Sequence, residues 1–100
     1  MNRIQYALGE NVALCAAGGG GCTEGESVAT CPAGMVVTGG GYEYDTARPT
    51  DVVVPYNSSS SDGTAWIVEM INNAAAPADF YAVAHCVPGS FTGPPAAAAK

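Results

Sequence analysis

Four cysteines, one histidine and nine carboxylates are the residues of this 100-residue chain best suited to chemistry. The cysteines stand at 15, 22, 31 and 86, an even number in a short chain, which is the arithmetic of a disulfide framework. Four half-cystines allow three pairings, and the sequence alone does not choose among them. The pairing expected here joins Cys15 to Cys22 across a glycine-rich loop and Cys31 to Cys86 across most of the domain. Zinc and free packing thiols are the alternatives. The spacing, Cys-x6-Cys followed by gaps of 8 and 54 residues, contains no C-x2–4-C knuckle of the kind structural zinc sites favour, even with His85 beside Cys86. No metal and no cofactor is therefore expected.

Catalytic arrangements are equally thin. His85 adjoins a half-cystine, and no Gly-x-Ser-x-Gly elbow exists for it to serve, so an ordinary strand-face role is expected. Gly18–Gly21 lacks the Lys-Ser/Thr that would complete a phosphate loop and is read as a turned loop closed by Cys15 and Cys22. Gly39-Gly40-Gly41 lies within a strand-like run, where glycine marks a bulge or a close approach; a contact surface for a ligand or neighbouring subunit is the alternative. Glu43, Asp45 and Asp51 frame a loop without a calcium pattern and are read as solvated turn residues. Tyr42, Tyr44 and Tyr56, together with Asp62 in the Ser58–Gly63 loop, are the candidate binding surface, since tyrosine is enriched where proteins meet partners. Asn57-Ser58-Ser59 fits a glycosylation sequon, which matters only in a eukaryotic secretory pathway.

The elements that must carry these residues are strands. No stretch of ten residues repeats apolar positions at i, i+3 and i+4. Alternation and short Val-rich runs, separated by Gly, Pro, Asn and Ser, predict strands over 4–8, 12–16, 27–31, 35–44, 51–56, 65–72 and 80–87. The expected fold is all-β: a small antiparallel β-sandwich, or a barrel-like variant, stapled by disulfides and ending in extended arms. In 65–72, Trp66, Val68 and Met70 share one face, and Glu69 marks the other as partly wet. In 80–87, Phe80, Ala82, Ala84 and Cys86 share one side, with Tyr81, Val83, His85 and Val87 opposite. Trp66, Val68, Met70 and Phe80 are thus the expected core, the small alanines leaving room for the indole. Asp62-Gly63 should turn a hairpin between 52–56 and 65–72.

Composition bounds the rest. Only 12% of residues are charged and the formal net charge is −6. Ala supplies 18 of the 48 hydrophobic residues, whereas Leu, Ile, Val and Phe together number 17, so the core is thin and staples matter. Three basic residues exclude a nucleic-acid partner, which requires clustered Lys and Arg, and no apolar run reaches the length of a membrane span. Residues 1–88 are expected to form one domain, comprising an N-terminal extension (1–30) with its own cysteine pair and a core module (31–87). An extended arm follows over 89–100. The start Met1–Tyr6 carries no apolar stretch of a signal peptide, so either a leader was removed and replaced by an initiator Met, or the protein leaves its cell without one, as a virion protein released by lysis and oxidised afterwards would.

The segment Cys31-Pro-Ala-Gly-Met-Val-Val-Thr-Gly-Gly-Gly-Tyr42 resembles the opening of a small β-rich module of bacterial surface and collagen-like proteins and of phage tail or fibre proteins. Trp66-Ile67-Val68 matches its W-x-V strand, and Tyr81-Ala82-Val83 opens its closing Y-A-V-C, with Ala84 and His85 inserted before Cys86. The resemblance covers Cys31–Cys86 and implies a bridge between those cysteines and a noncatalytic, extracellular or virion-exposed role. The expected function is that of a structural subunit of a virion or surface assembly, such as a phage capsid decoration (cement) or tail protein. Its partners would be protein subunits of the same assembly, copies of itself among them. An adhesin or carbohydrate-binding module, with a glycan as partner, is the alternative.

Overall fold

The structure, a computed structural model, describes residues 4–45 and 49–89. It is all-β, and the expected strands form with boundaries shifted by a few residues: β1 Gln5–Leu8, β2 Val12–Leu14, β3 Glu24–Thr30, β4 Met35–Tyr44, β5 Val52–Ser59, β6 Ala65–Asn72 and β7 Ala78–Pro88. One short 3-10 turn, Gly20–Thr23, lies between β2 and β3. The expected arm beyond Gly89 lies outside the described residues.

Two antiparallel sheets face each other. In the front sheet β7 is central: β4 pairs along one edge, while β1 and β2 lie end to end along the other. In the back sheet β6 is central, between β3 and β5. The core between them holds Leu14, Ala29, Val68, Met70, Phe80, Ala82, Ala84 and the Cys31–Cys86 pair. The inward face of β7 is the one its alternation predicts, with Phe80, Ala82, Ala84 and Cys86 all at 0% exposure. The inserted Ala84-His85 leaves this face intact, because two residues are one full period of a strand. Trp66 meets the expectation in part. It packs against the core beside Gly40 but is only partly buried, and its indole donates from Nε1 to Asn57 Oδ1 at 2.7 Å. The ring nitrogen needs an acceptor, which holds the indole at the rim.

A serine rivets the sheets where the β1–β2 edge is interrupted. Ala82 O accepts from Gly9 N at 2.9 Å, and at that break Ala82 N donates to a side chain. Ser27, fully buried on β3, accepts from Ala82 N at 2.9 Å and donates to Glu10 O at 2.7 Å. A side chain on Gly9 would collide with the Ser27 hydroxyl and the Val28 backbone. Among the described residues no buried side-chain nitrogen or oxygen lacks a partner.

The cysteines form the expected bridges, Cys15–Cys22 and Cys31–Cys86, and none is free. Structural disulfides of this kind indicate an oxidising, extracellular setting.

Candidate functional site

Two β-bulges decide which side chains reach the surface. In β4, Val37 pairs with Cys86 and Gly39 with His85, so Thr38 is an extra residue. That insertion reverses the alternation downstream. Gly40, Tyr42 and Tyr44 then face inward with Ala84, Ala82 and Phe80, while Gly39, Gly41 and Glu43 face outward. In β5 the register slips between Val53 and Tyr56, around Pro55. Tyr56 then lies outward opposite Glu69, and Asn57 lies opposite Val68, in reach of Trp66.

The tyrosine surface expected from the sequence is therefore dispersed. Tyr42 and Tyr44 pack against the core, ring centroids 5.7 Å apart and edge-on. Tyr56 lies on the outer face of the back sheet, its hydroxyl donating to Ser59 O at 3.2 Å. Asp62 sits in the β5–β6 turn, bonded to Ser60 and Thr64, beside the Val37 end of β4. Tyr44 lies seven residues further along that strand, about 23 Å away at roughly 3.3 Å per residue. These four residues do not make one site.

A different constellation assembles on the outer face of the front sheet. β1 contributes Tyr6 and Leu8; β7 contributes Tyr81, Val83 and His85; β4 contributes Gly39, Gly41 and Glu43. The register aligns them in rows across three strands: Tyr6–His85–Gly39, then Leu8–Val83–Gly41, then Tyr81–Glu43. Tyr6, Leu8, Glu43, Tyr81, Val83 and His85 line a shallow recess of about 340 Å³. The Tyr6 and His85 rings meet at 4.9 Å with a 54° tilt.

This face is apolar and exposed. Tyr6 is 67% exposed and Leu8 64%, with Ile4 at 63% just before them on the same chain. Across the sheet, a side chain added at Gly39 or Gly41 would meet nothing within 4 Å. The face thus has a ridge of large side chains along β1 and an open floor along β4. Glu43 is its one carboxylate between the Tyr81 and His85 rows. The outer face of the back sheet differs, for Glu24, Glu26 and Glu69 line a recess of about 410 Å³ together with Pro55 and Ile71.

No family model, no curated protein and no solved structure matches the chain. The site must therefore be read from its own chemistry. Among the described residues no three His, Cys, Asp or Glu side chains converge as metal ligands. His85, the sole histidine, touches the Tyr6 ring rather than a serine or thiol. What the arrangement offers is contact: aromatic and aliphatic surface, a flat floor and a single carboxylate at the rim.

Two parts of this site were visible in the sequence. Alternation in 80–87 placed Tyr81, Val83 and His85 on one face, and the glycine triplet allowed a contact surface. Tyr6 and Leu8 were not singled out, because nothing local in a four-residue strand says which partner strand it will join.

Proposed function

We propose that this protein is a noncatalytic structural subunit of an extracellular assembly, a virion or a surface structure, and that it works by docking the outer face of its front sheet. The observation that carries this reading is the exposure of Tyr6 and Leu8, at about two thirds each, on a sheet face that also presents Val83, Tyr81, His85, Glu43 and two glycines. Large apolar side chains lined up on a rigid sheet, away from the core, are the mark of a surface that something covers. The resemblance of Cys31–Cys86 to a module of bacterial surface and phage tail or fibre proteins supports the same reading. Within it, a capsid decoration or tail-associated subunit is the role proposed.

Cross-linking mass spectrometry on intact particles or surface fractions of the source tests this. The expected result is a multi-copy component whose cross-links and protections centre on peptides 4–8 and 81–87. Recovery only as a free, soluble protein, with no particle or surface association, would overturn it.

A second reading has its own observation. Tyr6, Tyr81, His85 and Glu43 around the 340 Å³ recess are groups that stack on and hydrogen-bond a sugar ring. A glycan array settles it: hits abolished by Tyr6→Ala support an adhesive module, and a blank array removes it.

A further inference from the structure

We propose that the occupant of the front-sheet face is a second copy of this chain, packed face to face about a twofold axis parallel to β7. The inference rests on the docking reading above and names its partner. It follows from how the ridge and the floor are placed. Tyr6 and Gly39 flank His85 in one row, and Leu8 and Gly41 flank Val83 in the next, so both large side chains of β1 lie level with a glycine on the far side of β7. Rotation by 180° about an axis running along β7 turns the face over and exchanges left for right, while leaving each row at its own height. Tyr6 of one copy then stands over Gly39 of the other, and Leu8 over Gly41, twice by symmetry. A twofold interface needs one patch that is complementary to itself; ridge and floor are so matched here, while Tyr81, Val83 and His85, on the axis, meet their own copies.

The open floor is what makes the fit physical. Gly39 and Gly41 have no neighbours within 4 Å in the direction a side chain would take, and neither has a positive φ. Among the described residues nothing in the fold of one copy requires glycine at these two points. Gly40, between them, is different, because a side chain there would strike the Trp66 ring. Two sheets packing face to face interdigitate their side chains across about 10 Å, and a projecting tyrosine needs such a vacancy opposite it.

Charge sets where on that face the copies meet. All nine carboxylates of the sequence lie in the described residues, whereas Arg3, Arg48 and Lys100 lie outside them. Two such acidic bodies repel unless they meet where carboxylates are sparse. The back-sheet face would bring Glu24, Glu26 and Glu69 of each copy together; on the front-sheet face Glu43 and, one row beyond Tyr81, Asp79 stand at one end, so the contact centres on the Tyr6 and Leu8 rows. Three strands by seven residues is about 14 Å by 23 Å, a small interface whose association is weak alone and strengthened by repetition in an assembly.

Sedimentation velocity on the full-length, oxidised protein from 5 µM to 1 mM tests the proposal, with Gly41→Glu as the decisive variant. Because nothing surrounds that position, the variant should keep its thermal unfolding midpoint. It should also raise the dimer dissociation constant at least tenfold, as should Leu8→Glu. Val53→Glu, on the exposed outer face of the back sheet, should leave association unchanged. A wild-type protein that stays monomeric to 1 mM overturns the proposal, as does a dimer indifferent to Gly41→Glu. Glycan binding that Gly41→Glu abolishes in a monomeric protein assigns the face to a sugar instead. Should the purified protein be monomeric while peptides 4–8 and 81–87 remain protected on intact particles, the partner is a different protein, and the docking reading survives without this inference.

Discussion

The two ends of the sandwich are each closed by a disulfide, yet they are built on opposite principles. At one end, Cys31–Cys86 lies inside the core, at 7% and 0% exposure, and joins the front sheet to the segment that leaves the back sheet. Backbone bonds from Cys31 N to Thr64 O and from Val37 N to Gly63 O tie the β5–β6 turn to the same place. At the other end, Cys22 is exposed and the bridge to Cys15 closes a glycine loop on itself. What anchors that loop is polar: buried Asn72 donates to Cys15 O at 3.2 Å and to Ala76 O at 2.9 Å, and accepts from Ala74 N at 3.0 Å. A core with few large side chains can thus be secured either by a covalent link through it or by a hydrogen-bonded node beside it.

The sharpest way to break this comparison is to remove each bridge. In the chain-entropy model a loop of 55 residues is worth about 4 kcal/mol and one of 7 about 2.5 kcal/mol. Cys31→Ala with Cys86→Ala should therefore lower the unfolding midpoint by roughly 15–30 °C, and Cys15→Ser with Cys22→Ser by roughly 10–20 °C. Differential scanning calorimetry reads both. Equal losses would mean that the two ends are equivalent. Burial adds an order of opening under graded dithiothreitol: alkylation at Cys15 and Cys22 should precede alkylation at Cys31 and Cys86.

Much of this architecture was legible in the chain because it depends on local periodicity. The inward face of β7, the hairpin after Asn57 and the value of two cysteine pairs all follow from alternation, turn residues and count. What escaped was parity. Thr38 and the residues around Pro55 each add one residue to a strand, and one residue turns every later side chain to the opposite face. Tyr42 and Tyr44 look like surface residues until Thr38 is recognised as the extra one; after that they must be core. The candidate site was half legible for a related reason. Its β7 row could be read from sequence, but the Tyr6 and Leu8 ridge exists only because β1 pairs with the C-terminal half of β7, more than 70 residues away.

Asn72 offers a finer test of the polar end. Asn72→Ala leaves two carbonyls and the Ala74 amide without their side-chain partner in a buried place, at a cost of about 2 kcal/mol. Urea denaturation should show that loss, and hydrogen exchange should quicken at Ala17, whose amide donates to Ala74 O. Combined with the Cys15/Cys22 double substitution, the losses should fall short of their sum, since both act on one loop. Combined with the Cys31/Cys86 substitution they should add, because the two sites lie at opposite ends. Additivity in both backgrounds would show that Asn72 does not hold the loop.

The smallest effect belongs to Asp62, in the turn that serves the covalent end. The Thr64 hydroxyl first, then the Ser60 hydroxyl and the Thr64 amide, donate to its carboxylate and hold it below the ordinary aspartate value of 3.8. A group whose pKa is lower folded than unfolded binds more protons when unfolded, so its contribution is complete above the unfolded value. That contribution is lost as pH falls through the folded one. Stability should therefore decline below about pH 4 in wild-type protein, and more shallowly in Asp62→Asn, whose amide retains an oxygen acceptor but does not titrate. The carboxylate is fully exposed, so the difference should be slight beside that of either bridge. A carbon-detected NMR titration of the Asp62 carboxyl from pH 6 to pH 1.5 measures it directly. A midpoint at or above the ordinary value would detach this turn from the end it braces, leaving Cys31–Cys86 and the two backbone bonds to hold the hairpin alone.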